Sequence, residues 1–358
     1  MKIVVIGAGI AGLAIGWRLA QAGQEVTVLE RAQPGHGATW ASAGMLAVTA
    51  ELLESGPDEI TFARHSNELW PDFAKEIEAE SGRFIGYEEK GALLLASDVQ
   101  ALDRLARQAG ARPGSELVDA GRVREIVPLA TGAVAGALWS PHEAQVNNRA
   151  LGVAMAIALQ KAGGRLKTNE AVVRIERREN RAAVAHTPFG LYHADAFVLA
   201  AGAWSGLLEE TLAPIVPVKG QMILLTPPPG MTIPDCVVWG NGVYIVPRKE
   251  GIAIGATVEE VGFDTTLTDE ARDSLFDAAA KSMPALRTWT VAEQWAGLRP
   301  KAPDGLPLLG PTPVAGLWLA SGQYRNGILF APALAETLCR QILGGEGIAA
   351  FDPRRYRA

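Results

Sequence analysis

Cysteine is nearly missing from this 358-residue chain: only Cys236 and Cys339 occur, far apart in sequence. No CxxC pair and no Cys/His cluster at zinc spacing exists, which excludes a disulfide framework and a structural zinc site. Two free thiols fit a reducing, cytoplasmic compartment. Charge is modest as well, with 20% charged residues and a net charge of −6. Such a chain offers no basic surface for a polyanion, so nucleic acid is excluded as the main partner. Also missing is any uninterrupted apolar run of the ~20 residues that cross a bilayer. The apolar opening up to Gly16 is broken by Gly7, Gly9, Gly12 and Gly16 and runs on into a polar segment, so it reads as strand and helix, not a signal peptide. The hydrolase and kinase signatures H-E-x-x-H, G-x-S-x-G and the Walker lysine motif do not occur.

Apolar residues and glycine are what the chain has in quantity. The 48% hydrophobic content supports a sizeable core and excludes disorder. At roughly 100–200 residues per domain, the length predicts two domains or one large α/β unit.

Lys2–Ile6 is an apolar β-branched run, the pattern of a buried parallel strand. A helix pattern through Leu13, Trp17 and Leu19 ends near Gly23, and Glu25–Glu30 is the next strand, completing a βαβ unit. Arg31–Met45 reads as a loop and Phe62–Ser81 as a helix. Strands are expected at Ala92–Ala96 and Ala133–Trp139 around a helix at Val99–Ala109. Asn148–Ala162 is an alanine-rich helix, followed by short strands at Ala171–Ile175, Ala182–His186 and Leu191–Ala194. Further strands are expected at Ala196–Ala200, Met222–Thr226, Tyr244–Pro247, Ile252–Gly255 and Trp318–Ser321. A helix should start after Thr268 as N-cap, and the last helix should span Ile328–Leu343.

Gly7-Ala8-Gly9-Ile10-Ala11-Gly12 is a G-x-G-x-x-G turn between the first strand and helix. Gly7 permits the tight turn, Gly9 lets backbone approach a pyrophosphate, and Gly12 lets helix and strand pack closely. Glu30 ends the second strand, where a carboxylate meets ribose hydroxyls, which favours FAD or NAD over NADP. The motif does not separate FAD from NAD.

The rest of the chain resembles the FAD-dependent amine oxidases of the D-amino-acid oxidase superfamily, most of all their glycine-oxidase subgroup. The resemblance rests on VVIGAGIAGLAIGWRLA, TWASAGMLA (Thr39–Ala47), VLAAGAWSG (Val198–Gly206), PVKGQ (Pro217–Gln221), YIVPRKEG (Tyr244–Gly251), IGAT (Ile254–Thr257), WAGLRPKAPDGLPLLG (Trp295–Gly310) and GQYRNGILFAPA (Gly322–Ala333), in family order along nearly the whole chain. It implies an α/β FAD-binding Rossmann-like domain interleaved with an α+β substrate domain built on a mixed, largely antiparallel sheet. The FAD domain would collect residues 1–82, 142–212 and 297–358, and the substrate domain 83–141 and 213–296.

By the same resemblance FAD is noncovalent, since neither cysteine falls in a motif. Gly7, Gly9, Ile10, Ala11 and Gly12 would meet the pyrophosphate, and Glu30, Arg31 and Val172 the adenosine. Ala38, Thr39, Ala43, Gly44 and Met45 would line the flavin, joined by Gly202 and by Gln323, Tyr324, Arg325, Asn326, Gly327, Ile328 and Leu329 at its pyrimidine edge. Arg299 and Tyr244 would grip the substrate carboxylate, a task that suits the arginine fork. Arg325 would lie near substrate and flavin. Met45, Gly242 and Val258 would line the substrate pocket; the last two depart from the subgroup's usual His and Met and loosen the assignment to glycine.

The five histidines lie outside these segments, so no base is evident for a substrate α-proton. Hydride transfer from a neutral amine to the flavin needs none. The implied reaction is oxidative deamination of glycine or another small amine acid. O2 accepts the electrons, and the products are imine or oxo acid, ammonia and hydrogen peroxide; with glycine, the imine would serve thiamine synthesis. Alternatives are a dehydrogenase of the same fold feeding a quinone or carrier protein, an NAD dehydrogenase, and a non-enzymatic nucleotide-binding redox module. Oligomeric state is left open, a homo-oligomer included.

Overall fold

The computed structural model describes every residue except 53–54, 110–113, 210–214 and 357–358. Its first layer is a six-stranded sheet in the order Leu308–Pro311, Leu317–Ser321, Ala196–Leu199, Lys2–Ile6, Glu25–Leu29 and Arg165–Lys167. All neighbours are parallel except Leu308–Pro311. Side chains alternate between the two faces, as strand geometry requires. Ile3 and Val5 join a core built with helices Ile10–Gln21, Pro57–Ser81, Asn148–Lys161 and Ala331–Ile342. Val4, Ile6, Phe197 and Leu199 face a second core with Ile175, Ala182 and Ala185 of a three-stranded antiparallel sheet. The strand is buried on both faces, which explains its continuous apolar run.

The second layer is an eight-stranded sheet, ordered Thr290–Lys301, Val216–Thr226, Gly251–Gly255, Val243–Arg248, Val237–Gly240, Ala92–Ala96, Gly136–Ser140 and Glu116–Asp119. It is antiparallel except where Val237–Gly240 runs parallel to Ala92–Ala96. Ile223, Ile245 and Ile254 pack under the helix Asp269–Ser282. The alternate residues Met222, Tyr244, Val246 and Trp295 face Ala41 and Ala43 from the first layer. This period of two sends Gly220, Met222, Tyr244, Gly297 and Arg299 toward one side.

Polar contacts close the seam between the layers. Asn148 Nδ2 donates to Thr39 O at 3.0 Å and Trp40 O at 2.7 Å. Trp295 Nε1 donates to Ala41 O at 2.9 Å. Arg149 forks onto Glu293 at 2.7 and 3.0 Å, with its guanidinium 3.9 Å from the Trp40 ring centroid. Together they hold Ala38–Ala41 between the sheets.

Several elements differ from expectation. Within Arg31–Met45, Ala38–Ala41 is a helical turn, closed by Ser42 Oγ on Thr39 O at 2.8 Å. The helix expected at Phe62–Ser81 starts at Pro57, five residues early, with Pro in the first turn beside Asp58 and Glu59. Arg174–Arg178 replaces the strand expected at Ala171–Ile175, because its ladder partner runs from His186, opposite Arg174, to Arg181, opposite Arg178. The last helix starts at Ala331, not Ile328. Pro332 has no N–H for the Ile328 carbonyl, so Asn326–Phe330 is a separate turn. Strands Glu116–Asp119 and Thr290–Lys301 had no counterpart in the sequence reading. Thr290–Lys301 runs across the expected domain boundary at 296/297. The boundary expected at 212/213 lies outside the described residues. Among the described residues no helix is long and apolar enough to cross a membrane.

Candidate active site

A cavity of about 380 Å³ is lined by residues of both layers. At one end lies the glycine turn. Glu30 Oε2 accepts from Ala8 N at 2.8 Å and Oε1 from Ala32 N at 3.0 Å, so the carboxylate ties the second strand to the turn. Thr39 Oγ1 accepts from Ile10 N at 2.9 Å and fixes the Ala38–Ala41 turn to the helix start. A Cβ on Gly12 would lie 2.0 Å from Gly7 O, so only glycine allows this approach. A Cβ on Gly9 would meet no described atom nearer than Thr39 Oγ1 at 3.6 Å, and the backbone there is open to the cavity. Arg31 stacks 3.5 Å over Trp204, which also lines the cavity.

At the other end the eight-stranded sheet contributes Gly220, Met222, Tyr244, Gly297 and Arg299. Arg299 Nη1 donates to Lys219 O at 3.3 Å and Thr257 O at 3.1 Å. The guanidinium also stands within hydrogen-bonding reach of the Tyr244 hydroxyl. The guanidinium lies flat on Gly220, where a Cβ would come within 2.3 Å of it. The Tyr244 hydroxyl sits 3.6 Å from Met222 Sδ. Burial pushes its phenol above the ordinary tyrosine range, against the pull of Arg299 and Arg325. It therefore stays protonated at neutral pH and can donate. Arg325 Nε lies 3.2 Å from Glu51 Oε2. Burial raises the Glu51 carboxyl, while Arg325 and Arg299 oppose the shift.

Of the residues singled out in the sequence, Gly7, Gly9, Ile10, Ala11, Glu30, Arg31, Ala38, Thr39, Met45, Val172, Gly202, Tyr244, Arg299, Gln323, Tyr324, Arg325, Gly327 and Ile328 line this one cavity. Others do not. Gly12 and Gly44 pack against backbone instead. Ala43 gives its carbonyl to Arg248. Asn326 Nδ2 turns away to Glu59 at 3.2 Å, and Leu329 O accepts from Ser66 Oγ at 2.7 Å and Trp70 Nε1 at 3.0 Å. Gly242 sits with Asn241 in a hairpin turn at φ +80°, and Val258 is exposed outside the cavity. Both are corrected from pocket residues to turn and surface positions. His36, set aside with the other histidines, does line the cavity, exposed and stacked on Trp40. Its neighbour Gly35 bonds Ala8 O at 2.7 Å, which puts it at the glycine-turn end. The sequence reading missed Glu51, Trp204, Gly220 and Met222. Gly220 was visible inside PVKGQ; Glu51 stands in a segment with no motif.

The protein-family model described as "FAD dependent oxidoreductase" matches residues 2–341. The chain belongs to that family. It is 35% identical to the glycine oxidase of Pseudomonas aeruginosa over 99% of this chain and 98% of that protein. It is 36% identical to the bifunctional protein ThiO/ThiG of Trichormus variabilis over 94% of this chain, matching 52% of that longer protein. Among solved structures, the glycine oxidase of Geobacillus kaustophilus superimposes with a TM-score of 0.93 at 31% identity, over 100% of both chains. The cavity fits the family's cofactor. Gln323 Nε2 is buried in its lining without a partner among the described residues, a donor suited to the carbonyl edge of a flavin. The open backbone at Gly9 suits a pyrophosphate.

Proposed function

We propose that this chain oxidises a small amine acid, glycine among the candidates, with FAD as the electron acceptor and O2 as the final oxidant. The observation that carries this reading is the Arg299–Tyr244 pair at the opposite end of the cavity from the glycine turn. Arg299, braced on two carbonyls, presents its remaining N–H groups to a carboxylate, and the Tyr244 hydroxyl donates beside it. Met222, Ala41 and Met45 give the site an apolar wall that keeps water from the substrate. FAD, when bound, supplies the acceptor for the hydride that leaves the α-carbon of a neutral amine. The chain's own work is to orient the carboxylate and so fix where that α-carbon lies. With glycine as substrate the product is an imine. The relative in which a homologous half is joined to ThiG supports a role in thiamine synthesis.

The decisive test uses the purified holoenzyme. Anaerobic glycine, sarcosine, D-alanine or D-proline should bleach the flavin absorbance, and in air peroxide should appear as fast as substrate disappears. No bleaching by any of them would refute amine-acid oxidation. Bleaching without peroxide would favour a dehydrogenase that uses another acceptor.

Flavin attachment is expected to be noncovalent. Cys236 and Cys339 are buried and neither lines the cavity. Burial pushes the Cys236 thiol up to about 12, so it carries no thiolate at neutral pH. Acid precipitation should leave all the yellow colour in the supernatant; colour retained in the pellet would contradict this. Native protein at pH 8 should leave both thiols unlabelled by an alkylating reagent, and denatured protein should label two.

A further inference from the structure

Among the described residues, three charged side chains line the substrate end of the cavity: Arg299, Arg325 and Glu51. Glu51 closes the short helical turn Val48–Glu51, and its side chain is only 7% exposed. It faces Arg325 at 3.2 Å, yet Oε2 accepts no directed hydrogen bond. The contact is therefore a charge–charge pairing, and its chief effect is to cancel the second arginine. Glu59, bonded to Asn326, does not line the cavity but acts on Glu51 as a second like charge. The Lys219–Glu259 pair at 3.1 Å is internally neutral. Among the described residues that line this end, the one charge left without an opposite partner is Arg299. A neutral amine with one carboxylate balances it.

A substrate with a second carboxylate is different. It would bring that group to Arg325 and there meet Glu51. Glu51 itself is buried, and a second anion held beside it meets a like charge at close range, which is costly. We propose that Glu51 is a specificity determinant that confines this enzyme to amine acids with a single carboxylate, by neutralising Arg325 and repelling a second anion. This rests on the amine-acid reading given above.

The test separates the two. Acetate and malonate are unreactive probes of one and two carboxylates, and their binding to the holoenzyme is read by calorimetry. The native protein should bind acetate at least as tightly as malonate. Glu51→Gln and Glu51→Ala should each shift the malonate-to-acetate affinity ratio by about tenfold or more toward malonate. Adding Arg325→Met to Glu51→Gln should abolish that gain. In turnover, Glu51→Gln should move kcat/KM toward iminodiacetate relative to glycine. Native protein that prefers malonate, or a ratio unchanged in both Glu51 variants, would overturn the filter and leave amine oxidation standing. No acetate binding at all would overturn the carboxylate site and the filter together. Amine oxidation itself fails separately, through a flavin that no amine acid bleaches.

Discussion

Arg299→Lys is expected to weaken acetate binding and raise KM for the amine acid by about 100-fold, with FAD still bound. Lysine keeps the charge but not the geometry. Arg299 spends Nη1 on the carbonyls of Lys219 and Thr257 and still has N–H groups for a carboxylate. A single ammonium has to divide its donors among the same acceptors and cannot present two parallel bonds. Loss of a partner from a buried charged pair costs about 2–5 kcal/mol, which sets the scale. The measurement is acetate titration alongside the visible spectrum. Unchanged affinity in a normally yellow protein would show that the substrate carboxylate lies elsewhere.

Gly12→Ala should abolish FAD binding and destabilise the fold by about 3 kcal/mol. The new Cβ would lie 2.0 Å from Gly7 O, 3.1 Å from Gly7 C and 3.3 Å from Val5 Cγ1. Two of these are backbone atoms of the turn, so relief requires moving the turn itself. Gly9→Ala is the control: its Cβ meets only Thr39 Oγ1 at 3.6 Å, so the protein should fold normally but bind FAD more weakly. Absorbance near ~450 nm, where oxidised flavin absorbs, together with the unfolding midpoint, distinguishes the outcomes. A yellow, fully stable Gly12→Ala protein would contradict the packing argument.

The sequence made the glycine turn legible because strand, turn, helix and acid follow one another within thirty residues. Local order of that kind needs no tertiary information. Tyr244 and Arg299 could be named only through resemblance, since what unites them is strand alternation on two different strands. Asn326 and Leu329 show the limit of such transfer: they stand in a matching motif, yet their polar atoms turn to Glu59, Ser66 and Trp70. Pro332 moves the start of the last helix to Ala331 and leaves Leu329 in the turn before it. Glu51 was invisible because its neighbour Arg325 is remote in sequence, and nothing in the local sequence marks a carboxylate that will meet an arginine.

The Thr290–Lys301 strand has a consequence for reach. From Trp295 to Arg299 its ladder with Met222–Val218 is unbroken; the one register slip comes beyond, at Leu224/Leu225. Trp295 is tied to Ala41 O at 2.9 Å, beside the cavity, and Arg299 is the proposed carboxylate anchor. Four residues of extended strand, about 13 Å, therefore act as a ruler between the two. A ruler cannot stretch to suit a longer substrate. On the proposed reading this strand sets the reach, while Met45 and Glu51 stand elsewhere in the lining, so reach and side walls belong to separate parts and can change independently.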